Sequence, residues 1–157
     1  MSNQTFMAQR RLMPITVQSI TLTLNERKLI DDLSCIIKSD GMSVIMGPNG
    51  AGKSLFMRCL HGLAKPDMGQ ILYADTPLNS LIRQQQSLVF QTPTILRRTV
   101  VASLLFVARQ CGIHDPKISM DYLAQLQLDH LAQHPARLLS GGEKQRLALA
   151  RALIINP

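Results

Sequence analysis

The strongest constraint on this chain is an eight-residue stretch, Gly47-Pro48-Asn49-Gly50-Ala51-Gly52-Lys53-Ser54. It lies between a short apolar run at 42–46 and a segment whose apolar residues, Leu55, Phe56, Cys59, Leu60 and Leu63, recur at helical spacing. The stretch fits the pattern G-x-x-x-x-G-K-[ST]. Gly50 and Gly52 let the backbone take conformations closed to other residues, so that its N–H groups converge on an anion. A helix starting near Ser54 turns its positive end toward the same point. Lys53 adds a full charge for the terminal phosphates of a nucleotide, and the Ser54 hydroxyl is placed to coordinate Mg²⁺. Hydrogen bonds to charged groups contribute about 1.5–3 kcal/mol each, so several of them make a firm nucleotide site. At ordinary residue frequencies a chance match in a chain of this length arises roughly 0.5% of the time. The strand–loop–helix context is the one the motif demands.

Around this loop the apolar pattern reads as an α/β chain. Ile15, Val17, Ile20, Leu22 and Leu24 alternate with a slip near Gln18-Ser19, which predicts a bulged strand. After a polar turn at 25–28, Leu33, Cys35 and Ile37 predict a second strand returning antiparallel. The run at 42–46 reads as a strand covered on both faces. The helix after the loop ends near His61-Gly62, and short strands follow at 70–73 and 87–91, the second ending in Gln91. Helical patterns occupy 101–111 and 119–131. Ser140 opens a last helix through Ile155, with Leu147, Ala150 and Ile154 on one face.

Composition narrows the function classes. A hydrophobic fraction of 46% in 157 residues supports one domain with a real core. The longest apolar run, 100–108, is interrupted by Ser103 and falls far short of the roughly 20 residues of a membrane span. Arg10 and Arg11 precede no apolar stretch with a cleavage site, so no secretory signal is expected. Three scattered cysteines, Cys35, Cys59 and Cys111, fit a reducing compartment. The net charge of +7 raises nucleic-acid binding, but aromatics make up 4% of the chain and no basic stripe interleaves with them. No nucleic-acid partner is expected. His130 and His134 have a helical metal spacing but no third ligand nearby, and the expectation is solvated side chains. Arg97 and Arg98 are expected to be solvated or to meet a partner's carboxylates.

A second glycine turn, Ser140-Gly141-Gly142-Glu143, has a structural explanation by itself: Ser-x-x-Glu is a capping box. The longer stretch 139–153, LSGGEKQRLALARAL, closely resembles the signature sequence of the ATP-binding cassette (ABC) family, and it follows the Gly-rich loop in the order that family requires. The resemblance implies a P-loop NTPase core with a parallel sheet flanked by helices, an N-terminal antiparallel β subdomain and an inserted helical subdomain. Its expected boundaries are an extension over 1–14 and a nucleotide-binding domain over 15–157. That domain divides into a β subdomain and core at 15–91, a helical subdomain at 92–139 and the signature helix at 140–157. It implies ATP and Mg²⁺ as cofactors, with residues 47–54 on the phosphates and Ser54 and Gln91 toward the metal. It implies a head-to-tail homodimer in which Ser140, Gly141 and Gly142 meet the nucleotide held by the partner. It also implies transmembrane permease subunits docked on the helical subdomain, and a location on the cytoplasmic face of the plasma membrane. The stretch 89–100, VFQTPTILRRTV, resembles the corresponding region of tungstate-type oxyanion importers.

The chain departs from the family pattern in three places. Glu143 stands where glutamine is most frequent, Leu24 stands where an aromatic residue stacks on adenine, and residues 1–157 stop short of the positions where the family is expected to carry its Walker B aspartate and catalytic glutamate. Stacking is worth roughly 1–3 kcal/mol per base, so its loss weakens affinity and leaves the phosphate grip intact. On this reading the chain is a partial ATPase subunit with an incomplete sheet, or alternatively a catalytically inactive nucleotide-binding fragment. Unpaired strand edges and apolar faces make such a piece aggregation-prone. Circular dichroism and gel filtration of the 157-residue protein test this; a monodisperse, cooperatively melting monomer is the contrary result.

Overall fold

The computed structural model describes residues 12–38 and 41–155, so most of the 1–14 extension lies outside the described residues. The chain divides into two compact units, Met1–Arg83 and Gln84–Pro157.

The first unit is built on strands β1 (Ile15–Leu24) and β2 (Arg27–Ile37), paired antiparallel. Asn25 and Glu26 both take positive φ, 50° and 62°, which is the two-residue turn whose twist matches a hairpin. The polar turn is therefore two residues long, and Arg27 already pairs with Leu24. The slip expected near Gln18-Ser19 is a bulge: pairing shifts between Val17 and Ile20, and Ser19 has φ 46°. Helix α1 (Lys53–His61) follows the Gly-rich loop and stops at Gly62, whose φ of 74° lets its N–H bond back to the carbonyls of Arg58 and Cys59. Strand β3 (Met68–Tyr73) pairs with β1, and two-residue β4 (Thr76–Pro77) closes a sheet of order β2-β1-β3-β4. Asp67 fastens the α1–β3 turn to β1, with its carboxylate accepting from Thr23 N–H at 2.7 Å and its own N–H donating to the Thr21 carbonyl at 2.8 Å. The core beneath the sheet gathers Val17, Ile20, Ile71 and Tyr73 with Phe56, Cys59 and Leu60 of α1. A short helix, α2 (Ser80–Gln84), places Ile82 in that core.

The second unit is helical. α3 (Val100–Gln110) is capped by the Thr99 hydroxyl, and α4 (Pro116–Gln125) by the Asp115 carboxylate with proline in its first turn. α5 (Gly141–Leu153) opens on a complete Ser140–Glu143 capping box. Leu104, Ala108, Leu123, Leu128, Leu147, Ala150 and Ile154 pack into one core. The single helix read over 119–131 is in fact α4 followed by a 3-10 turn at Asp129–Leu131, because the chain bends through Gln127 at φ 56°.

The parallel sheet expected from the sequence is not present among the described residues, where the one sheet is antiparallel. Residues 42–46 and 87–91 carry the apolar pattern of buried strands, yet neither forms a strand. Met42, Val44 and Met46 are 89%, 68% and 86% exposed. A strand buried on both faces needs neighbouring strands for its N–H and C=O groups and layers over its side chains. No described segment supplies them here.

Gly69 marks the tightest point of the sheet. Its φ is 79°, and a Cβ there would run into the carbonyl oxygens of Gln18 and Ser19 at the β1 bulge. Gly112 has a similar φ of 75° with nothing within 4 Å. We predict that Gly69→Ala costs about 2 kcal/mol or more, through strain plus a backbone collision, and Gly112→Ala about 1 kcal/mol through strain alone. Urea unfolding of the two variants measures the difference; equal losses contradict the close-approach account.

Candidate functional site

The Gly-rich loop turns on two glycines in left-handed backbone. Gly50 and Gly52 take φ of 83° and 82°. A Cβ at Gly52 would lie 2.7 Å from the Leu29 carbonyl oxygen, so the loop presses directly on β2. Gly52 is also the N-cap of α1, and no side chain caps the helix. The first-turn N–H groups, which a Ser or Asp cap would otherwise occupy, are left for an external acceptor. The Lys53 ammonium folds back over the loop and donates to the carbonyls of Gly47 at 2.8 Å and Pro48 at 2.7 Å. An ammonium has three protons to donate, so one remains. Ser54 is exposed, and among the described residues its hydroxyl has no hydrogen-bond partner. Asn49 and Ala51 complete the turn, with Ala51 N–H donating to Pro48 at 3.3 Å. Positive charge, uncapped amides and a free hydroxyl on one small surface are the donor set a Mg²⁺-bound polyphosphate requires. The residues present fit that group.

The other sequence-singled residues lie in the second unit. Ser140 Oγ accepts from Glu143 N–H at 3.4 Å, and the Glu143 carboxylate accepts from Ser140 N–H at 2.7 Å. Gly141 and Gly142 are exposed, and a Cβ at either would meet nothing within 4 Å. The glycines are therefore not forced by packing inside this unit. Gln91 does not end a strand; it sits in a bend, exposed, with no side-chain hydrogen bond among the described residues. Its backbone carbonyl is held by the Gln145 side chain. Sequence reasoning missed Gln145 and Arg151 as structural partners, although both lie within the signature stretch.

Arg98 is not simply solvated. Its guanidinium stacks 4.5 Å from the centre of the Phe106 ring. Arg97, Arg98 and Arg137, with Thr99 and Pro135, line an open cavity of about 420 Å³. Backbone bonds from Val100 to His134 and from Ala136 to Arg98 fix its walls. His130 and His134 do not share a helix, and His130 lies 4.0 Å from the Asp129 carboxylate. Leu24 is exposed at the end of β1. Burial pushes the thiols of Cys35, Cys59 and Cys111 above their ordinary value, so none is primed as a nucleophile.

The sequence pattern of the ABC transporter family matches residues 30–157. This chain belongs to that family. The Gly-rich loop, which has the Walker A pattern, and the stretch 139–153, which resembles the family's signature, both lie within the matched residues. Among similar proteins, a probable amino-acid import ATP-binding protein, YxeO of Bacillus subtilis (strain 168), is 32% identical over 91% of this chain and 63% of its own length. The zinc import ATP-binding protein ZnuC of Buchnera aphidicola subsp. Baizongia pistaciae (strain Bp) is 31% identical over 91% of this chain and 57% of its own. Among solved structures, cbiO1 from Clostridium perfringens, part of the ABC transporter complex cbiONQ, superposes with a TM-score of 0.78 at 25% identity. That match covers 91% of this chain and 62% of cbiO1. The chain therefore spans less than two thirds of the length of these relatives. No described helix is long and apolar enough to cross a membrane.

The capping box makes the signature helix sensitive to acid. The Ser140 N–H, then its hydroxyl, then the charges of Arg146 and His130 hold the Glu143 carboxyl below its ordinary value. A group with a depressed folded-state pKa contributes its full stabilisation above the usual glutamate range, and that contribution fades as pH falls through the lower folded-state value. We predict that Glu143→Gln removes this acid-side loss of helix stability while leaving the neutral-pH fold intact. Helical circular dichroism across the acid range checks it; an unchanged acid profile would be the contrary outcome.

Proposed function

We propose that this chain is the ATP-binding part of an ABC importer subunit. The observation that carries the reading is the Walker A loop, where Lys53 is held by two carbonyls over a helix start that no side chain caps. Gly47, Pro48, Asn49, Gly50, Ala51, Gly52, Lys53 and Ser54 would grip the phosphates of ATP, with the Ser54 hydroxyl and Gln91 contributing to Mg²⁺. The bound ion would offset phosphate charge. The chain's own contribution is to bind and orient: amides at the start of α1 would donate to phosphate oxygens, and the Lys53 ammonium would donate its third N–H to them.

The names of similar proteins favour an importer. The similar curated proteins carry import in their names, and they handle amino acids in one case and zinc in the other at nearly the same identity, 32% and 31%. That contrast supports a reading in which this part supplies ATP binding and solute selection would fall to partner subunits. The helical unit would dock on transmembrane permease subunits at the cytoplasmic face of the membrane. Ser140, Gly141 and Gly142, exposed at the start of α5, would complete the nucleotide site of a second copy in a head-to-tail dimer.

Titration with a fluorescent ATP analogue tests the central claim. Lys53→Ala removes a charged donor and should weaken binding by about tenfold or more. Gly52→Ala should do the same through collision with the Leu29 carbonyl. Equal affinity in all three proteins would refute the loop as the nucleotide site.

A further inference from the structure

Among the described residues the segment from Ser87 to Thr94 has no strand partner, yet α5 holds it at three points. The Ser87 hydroxyl donates to the Ala152 carbonyl at 2.9 Å. The Gln145 side-chain amide donates to the Gln91 carbonyl. Arg151 Nη1 donates to the Thr94 carbonyl at 2.7 Å. The order of these contacts is informative. The segment starts beside Ala152, reaches Gln145 at residue 91, and returns to Arg151 at residue 94. Between the first and last of these contacts the segment bends at 91–92.

Lengths agree with this path. Residues 145 and 152 are about 10 Å apart along a helix at 1.5 Å per residue. Four extended residues from 87 to 91 reach about 13 Å, and three from 91 to 94 about 10 Å. The segment therefore has the reach to make all three contacts. The Gln145 contact lies one turn beyond the glycine turn at 140–142. Arg151 is half-buried, and its Nε is buried without a partner, so its guanidinium is committed to this position. The Gln91 backbone is thus fixed while its side chain stays free to reach a ligand.

We propose that Gln145 and Arg151 are positioning residues for Gln91. They tie the 87–94 segment to α5 and so fix the backbone from which the Gln91 side chain extends. The functional half of this inference rests on the proposed nucleotide role of Gln91; the structural half stands without it.

Chymotrypsin reads the tie. Phe90 lies in the segment, and Phe106 on α3 reports opening of the unit as a whole. Gln145→Leu and Arg151→Met should each speed cleavage after Phe90 by about tenfold, because cleavage follows the population of the opened segment. Cleavage after Phe106 should stay within about twofold, and Arg151→Lys, which keeps a donor, should restore protection at Phe90. Unchanged cleavage after Phe90 in both variants overturns the proposal, as does equal acceleration at both sites in both. If Arg151→Met does not fold, Gln145→Leu decides alone. In nucleotide titrations the same variants should reproduce the effect of Gln91→Ala on Mg²⁺-dependent ATP binding, with Mg²⁺-free affinity unchanged. Intact ATP binding with unaltered Mg²⁺ dependence overturns the positioning role. Absence of ATP binding in the unsubstituted protein instead refutes the nucleotide reading, and the cleavage result still judges the tie.

Discussion

The first unit depends on one close approach, the backbone of Gly52 against the carbonyl of Leu29. Only a residue without a Cβ can sit there, since an added carbon would lie 2.7 Å from that oxygen. The same residue must also adopt a left-handed backbone, at φ 82°, so that α1 begins at once with Lys53. From that junction follow the direction of α1, the placement of Phe56, Cys59 and Leu60 in the core, and the return of Lys53 onto the Gly47 and Pro48 carbonyls. A side-chain cap would satisfy the helix start and close it to an anion. Glycine leaves it open.

The signature turn in the second unit solves the opposite problem. Here the helix start is capped, but the reciprocal bonds of Ser140 and Glu143 use those two residues and not the amides of Gly141 and Gly142. One motif thereby stabilises α5 and presents small, unhindered residues outward. Structural and functional accounts of the turn do not compete. The cap sets the geometry that the glycines expose.

The apolar segments that form no strand show where local pattern stops being sufficient. Residues 42–46 are among the most apolar in the chain, and three of them are largely exposed. Hydrophobicity lowers the free energy of a strand only when something covers it. The segment 87–94 shows another solution: lacking a ladder, it bonds to side chains of α5, one of them a charged donor, which makes a stronger tie than a neutral amide pair.

Much of this was legible along the chain. The bulge near Ser19, the hairpin, the extent of α1, the capping box and the buried face of α5 all follow from residues close in sequence. The break at Gln127 and the short β4 and α2 were not, because propensities there are weak and packing decides. The Walker A and signature motifs were readable as motifs, since a loop that binds phosphate is made by consecutive residues. By itself the sequence determined these local pieces, whose geometry is set by steric and hydrogen-bonding limits between near neighbours. Only the tertiary structure decided that Gln145 and Arg151 hold carbonyls 54 and 57 positions away, and that two strand-like runs stay unpaired. Such choices turn on which groups packing brings within reach, and that distance is not written into any short stretch of chain.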